Sequence, residues 1–213
     1  RNRRYSGGID DSESGQDVKT PYARNAIEAV LDGKSVPVET TRTFGCSIKW
    51  SEKRRDNAKF QEKLAAEKVS LEEVDAAGAA ALRKNDTDKL RLINVWATWC
   101  GPCRTEFPDL VRTNRMYRQR KFEFVSISLD AGKDVPAALE FLQKAQASGK
   151  NLRYSSDDRN ALAEALDKKW SGALPMTILV KPGGEILYRH EGAVDPLELR
   201  RAIVEQLGRT YGR

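Results

Sequence analysis

The segment Leu90-Arg-Leu-Ile-Asn-Val-Trp96 runs straight into Ala-Thr-Trp-Cys-Gly-Pro-Cys103. A short apolar run bounded by turn residues reads as a buried strand, and the residues from Gly101 onward read as a helix. Pro102 suits the first helical turn, because the N–H it lacks would have had no helical partner. A strand-to-helix junction places Cys100 at a helix N-terminus, where free backbone N–H groups and the helix dipole stabilise a thiolate. The thiolate is the species that attacks disulfides. Cys103 lies one turn into the same helix, within reach of the first sulfur. The spacing therefore predicts a dithiol that opens and closes reversibly.

Other chemistries of a Cys-x-x-Cys are weaker. Zinc needs four ligands, and only Cys46 and the single His190 remain, without a second close pair. Covalent haem attachment needs His after the second cysteine, where the chain has Arg104. A purely structural disulfide stays open, although closing so short a loop stabilises little. His190, alone at a strand end, reads as structural or exposed.

The 213 residues suffice for one substantial domain with appendages. Lys and Arg number 37 against 31 Asp and Glu, a net charge of +6, which is not the profile of a dedicated nucleic-acid binder. Arg112, Arg115 and Arg118, extended by Arg120 and Lys121, read as a solvated helix face, with steering of an acidic partner as the alternative. No stretch approaches the ~18 apolar residues of a membrane span. The opening Arg-Asn-Arg-Arg, without an initiator Met, reads as the start of a processed or excised chain.

Three regions are expected: 1–50 as an N-terminal extension, 51–84 as a helical connector and 85–213 as the main domain. In the first, Pro21–Gly33 reads as a helix with Ala23, Ile27, Val30 and Leu31 as its apolar stripe, and Val36–Phe44 as extended. The connector reads as a charged helix over 51–68. Ser70-Leu-Glu-Glu73 then reads as a capping box opening a helix over Leu71–Arg83. Beyond Asn85 the pattern alternates: strand 90–96, helix 101–119, strand 122–129, helix 134–147, strand 151–155, helix 158–169. Strands 176–180 and 185–189, joined by a turn at Pro182–Gly184, and a helix at 195–207 complete it. Such alternation predicts an α/β fold with a mixed central sheet flanked by helices. Trp96 reads as core and Trp99 as part of a partner surface.

WATWCGPC, CRTEFPDL (Cys103 to Leu110), GALPMT (Gly172 to Thr177) and PGGEILYR (Pro182 to Arg189) together resemble the thioredoxin superfamily, within it the TlpA/ResA-like thiol-disulfide oxidoreductases. The resemblance covers about Leu90 to Leu207 and implies a thioredoxin-like fold whose long segment between Asp130 and Trp170 is the TlpA-type insertion. It implies that Cys100 attacks and Cys103 resolves. Pro108 matches the proline of the active-site helix, and Pro175 the proline preceded by a cis bond beside the disulfide. Trp99, Gly101, Pro102, Leu174 and Met176 fall at partner-binding positions. Met176 stands where thioredoxins commonly carry Thr, so a softened partner surface and plain packing are both open. Asn94 stands where the general pattern has a buried Asp, so Glu106 becomes the candidate proton acceptor for Cys103. The alternative for Glu106 is an exposed side chain interacting with the helix dipole.

The family implies a disulfide-bearing protein substrate, a separate electron donor, an extracytoplasmic or periplasmic setting, and no cofactor beyond the Cys100–Cys103 disulfide. The Gly-Pro dipeptide is that of thioredoxin, with a potential near −270 mV, which favours reduction of partners over DsbA-like oxidation near −120 mV. A non-enzymatic module whose binding is switched by the dithiol is the alternative. GGIDDS, LDGKSVPV and TFGCSIKW in the first fifty residues resemble the tail of a peroxiredoxin-like (AhpC/TSA-type) redoxin domain. That resemblance implies an upstream redoxin module, with Cys46 either a third redox cysteine or a free thiol without a role.

Overall fold

The computed structural model describes residues 3–12, 18–42 and 51–208. The chain forms two compact units, Arg1–Lys59 and Phe60–Arg213. The first unit contains α1 (Tyr22–Leu31), and a parallel bridge joins Ser6 to Thr40. Tyr5 Oη donates to the Gly8 carbonyl at 2.5 Å and lies 2.8 Å from Thr41 Oγ1, which closes this small loop on itself. The expected stripe of α1 is not a packed face. Only Ala26 is buried, while Ile27, Val30 and Leu31 are exposed. Cys46 lies outside the described residues.

After α2 (Ser51–Ala65), the second unit runs β1 (Glu72–Val74), α3 (Ala76–Lys84), β2 (Leu90–Trp96), α4 (Gly101–Tyr117) and β3 (Phe122–Ser128). It continues with α5 (Val135–Lys144), β4 (Lys150–Tyr154), α6 (Arg159–Leu166), β5 (Met176–Val180), β6 (Ile186–Glu191) and α7 (Pro196–Leu207). The sheet order is β1-β4-β3-β2-β5-β6. The first four strands in that order are parallel to one another, and β5 and β6 are antiparallel to their neighbours.

All seven residues of β2 are buried, as a central strand covered on both faces requires. Side chains alternate between the faces. Leu90, Leu92 and Trp96 pack with Phe107, Leu110, Leu142, Leu199 and Ile203 from α4, α5 and α7. Ile93 and Val95 pack with Ala79, Leu82, Leu162 and Leu166 from α3 and α6. Asn94 shares the face of Leu92 and Trp96, toward α4.

The expected helix over Leu71–Arg83 starts later. Glu72–Val74 pairs in parallel with Leu152–Tyr154, and this extended main chain cannot also be a first helical turn. The cap is Asp75, whose carboxylate accepts the Gly78 N–H at 2.7 Å. Residues 72–84 therefore supply an edge strand and a packed helix to the second unit.

The basic run after the dithiol is mostly committed to the fold, not a free face. Arg118 forks onto both carboxylate oxygens of Glu67 at 2.6 and 2.7 Å. Those bonds hold the Glu67 carboxyl down at about 2. Arg115 donates to the main chain and side chain of Gln146 at 3.1 and 2.9 Å. Arg120 caps the end of α7 through the Leu207 and Gly208 carbonyls. Lys121 pairs with Asp88 at 3.1 Å, and Arg112 with Asp109 at 3.5 Å. Among the described residues no helix is long and apolar enough to cross a membrane.

Candidate active site

Cys100 and Cys103 form a disulfide with their Cα atoms 5.3 Å apart. Cys100 is the N-cap of α4, and its sulfur accepts the Cys103 N–H at 3.3 Å. A sulfur there faces the unpaired donors of the first turn, the setting that lowers a thiol pKa when the pair is reduced. Cys103 is fully buried, whereas Cys100 is bordered by exposed Trp99, Gly101 and Pro102. Cys100 itself is 6% exposed, which makes it the more solvent-accessible of the two cysteines.

The loop into Cys100 is fixed by Asp130, which the sequence pattern alone did not single out. Its buried carboxylate accepts the Thr98 N–H at 3.0 and 3.1 Å, the Thr98 hydroxyl at 2.5 Å and the Ser128 hydroxyl at 2.6 Å. An acid directly after a strand of the pattern Val-Ser-Ile-Ser-Leu was the available signal.

Glu106 is not an exposed first-turn residue. It is 6% exposed and lies one turn after Cys103, on the same side of α4 as Phe107 and Leu110. Its Oε2 accepts the Val194 N–H at 2.8 Å, and its Oε1 accepts the Asn94 side-chain amide at 3.0 Å. Burial outweighs those two bonds and pushes the carboxyl up to about 7. Asn94 also donates to Thr177 Oγ1 at 3.0 Å, so its amide ties β2 to both α4 and β5. Tyr188, whose hydroxyl is buried without a hydrogen-bond partner among the described residues, is pushed up to about 12 by burial and by Glu198, Asp195 and Glu106.

The Leu174–Pro175 bond is cis, and Pro175 is buried. Leu174 is half-buried, and its main chain has no hydrogen-bond partner among the described residues. Met176 corrects one expectation: at 1% exposure it packs with Ile178 and Val95 in the core, so its side chain forms no partner surface. Trp96 is core, against Phe107 with ring centroids 4.9 Å apart. Pro108 is exposed inside α4. His190 Nε2 sits 3.1 Å from the Ala193 carbonyl and its ring stacks on Tyr188. Among the described residues no group of His, Cys, Asp or Glu is placed to hold a metal ion.

A dithiol at a helix N-cap, a buried carboxyl one turn on and a cis proline just before the adjacent strand occur together here on a mixed sheet. The Redoxin family model matches residues 60–206. This chain belongs to the Redoxin family. The matched span covers the whole site and leaves the first 59 residues outside it. Within the family the likeness is to ResA-type proteins. The chain is 32% identical to the thiol-disulfide oxidoreductase ResA of Oceanobacillus iheyensis over 104 residues, 48% of this chain and 50% of that one. It is 34% identical to the thiol:disulfide interchange protein HelX of Rhodobacter capsulatus over 105 residues, 49% of this chain and 53% of that one. The chain thus spans about half the length of these relatives. A solved Chlorobium tepidum structure, assigned as a thiol:disulfide interchange protein DsbE, aligns with a TM-score of 0.50 at 26% identity. It covers 58% of this chain and 83% of its own. The mixed sheet flanked by helices is thioredoxin-like.

Proposed function

We propose that this protein is a thiol-disulfide oxidoreductase that reduces disulfides in partner proteins. The observation that carries the reading is the buried Glu106, poised at about 7, one turn beyond a cysteine pair that caps its own helix. The names of the ResA and HelX relatives support it.

In the reduced protein, the Cys100 thiolate attacks one sulfur of the partner disulfide. A mixed disulfide forms, and the other partner sulfur leaves as a thiolate that takes a proton from water. The Cys103 thiol passes its proton to the Glu106 carboxylate, and its sulfur attacks Cys100. The second partner thiolate leaves, and the Cys100–Cys103 disulfide closes. Two electrons pass from the protein dithiol to the partner, so a separate dithiol donor must restore the reduced form. The open Leu174 main chain beside Pro175 is suited to receiving the partner's extended segment like an added strand. An extracytoplasmic setting belongs to the same reading and rests on the family resemblance alone.

Insulin-disulfide reduction tests it. Wild-type protein with a chemical dithiol donor is expected to accelerate reduction, and Cys100→Ser to abolish the effect. Equal rates for the two proteins would overturn the assignment. Direction is tested by the potential against glutathione: a value near −270 mV fits a reductase, and one near −120 mV contradicts it.

A further inference from the structure

We propose that Trp99, Arg159 and Arg104 form a recognition rim beside Cys100 for a partner segment that carries a carboxylate side chain next to its disulfide. The proposal rests on the oxidoreductase reading above and adds the chemical class of the partner.

Trp99 directly precedes Cys100 and is 56% exposed. The Arg159 guanidinium lies over its ring, 5.4 Å from the centroid, inside the range of a cation–π contact. Arg159 opens α6, in the long segment between Asp130 and Trp170, so that segment reaches Trp99, the residue before Cys100. A guanidinium held over an aromatic ring keeps its N–H edges for a carboxylate. Arg104, exposed in the first turn of α4, follows Cys103 directly.

Among the described residues of the second unit, Arg91, Arg112, Arg118, Arg153, Arg189 and Arg200 pair with carboxylates, whereas Arg104 and Arg159, like Arg83, Arg115, Arg120 and Arg201, form no ion pair. Of these, Arg159 lies over Trp99 and Arg104 directly follows Cys103. The nearby acids are largely committed elsewhere. Glu106 is buried on Val194 and Asn94, and Asp130 is buried on Thr98 and Ser128. Asp158 holds the Ala161 N–H at 3.0 Å, and Glu191 holds Ser171. Asp157 is exposed, but it forms no ion pair with Arg159. Arg159 over the Trp99 ring, next to Cys100 in the chain, and exposed Arg104 one residue after Cys103 thus offer positive charge that complements an acidic segment rather than a basic one.

The test uses the full chain, reduced, and three disulfide peptides that differ only in the residue after the cysteine: Asp, Ser or Lys. The Asp peptide is expected to be reduced at least about threefold faster than the Lys peptide at low ionic strength. The ratio should fall toward one in about 0.5 M salt, where exposed charges are screened. Arg159→Glu should reverse the ratio. Lys121→Glu makes the same charge change at the opposite end of β2, where the Lys121 carbonyl receives the Leu90 N–H, and should leave the ratio in place. Equal wild-type rates for Asp and Lys peptides, or a ratio moved as much by Lys121→Glu as by Arg159→Glu, would overturn the rim while leaving the oxidoreductase reading intact. Failure to reduce all three peptides would overturn that reading and the rim with it.

Discussion

The Glu106 carboxyl accepts two hydrogen bonds that favour its anion, yet burial costs more than both supply, and its pKa rises from 4.5 to about 7. Asn94 suits this arrangement better than the Asp of the general thioredoxin pattern. Its amide donates to Glu106 and Thr177 at once, whereas an Asp would place a second carboxyl against the first. A raised folded pKa means that the neutral acid is the stabilised form. The contribution is fully present below about 4.5 and is lost as pH rises through about 7. The shift corresponds to about 3 kcal/mol. Glu106→Gln, neutral at every pH, is therefore expected to gain about that much relative to wild type between pH 4.5 and pH 8. Urea unfolding of both oxidised proteins at the two pH values checks this, and parallel pH profiles would count against it. In the proposed turnover the sign is opposite, because there the Glu106 anion accepts the Cys103 proton. Resolution of the mixed disulfide should quicken through about pH 7 in wild type and be slower by about 100-fold or more in Glu106→Gln, read by quenched-flow. The burial of Glu106 was legible in one respect: positions 103, 106, 107, 110, 114 and 117 share the buried side of α4 at helical spacing. Its partners were not, because the Val194 N–H comes from a loop 88 residues away.

Among the elements, apolar runs and Gly/Pro punctuation located most pieces. Strands β2 and β5 begin and end where the pattern placed them, and α4 stops two residues short of expectation. The departure at 70–75 has a physical cause. Ser70 and Glu73 have capping-box spacing, but the exposed edge of β4 takes Glu72–Val74 into the sheet, and Asp75 provides an alternative cap. Tertiary pairing of this kind has no local signature. Asp75→Ala should lower stability by about 1 kcal/mol, while Ser70→Ala should stay within about 0.5 kcal/mol of wild type. Chemical denaturation of the two variants separates the alternatives, and a larger cost at Ser70 would restore the helix start at Leu71. The exposed stripe of α1 shows the converse: helical periodicity forecast the helix correctly but not whether its apolar side is covered.

For the molecule as a whole, a net charge of +6 says little until each cation is placed. Most of the basic run after the dithiol ties α4 and its following turn to the rest of the second unit. Among the described residues, Arg104 and Arg159 form no ion pair, and Arg159 lies over Trp99, the residue before Cys100. The sheet positions everything else: β2 carries Asn94 and delivers Cys100 to the head of α4, and β5 begins just after Pro175. Division of labour within the dithiol, with Cys100 attacking and Cys103 resolving, is the central claim. Mixing reduced Cys103→Ser and Cys100→Ser proteins separately with a disulfide-bonded substrate, then mapping adducts by mass spectrometry, tests it directly. A stable mixed disulfide is expected on Cys100 in the first protein, with little or none in the second. An adduct that accumulates on Cys103 of the second protein, with none on Cys100 of the first, would contradict it.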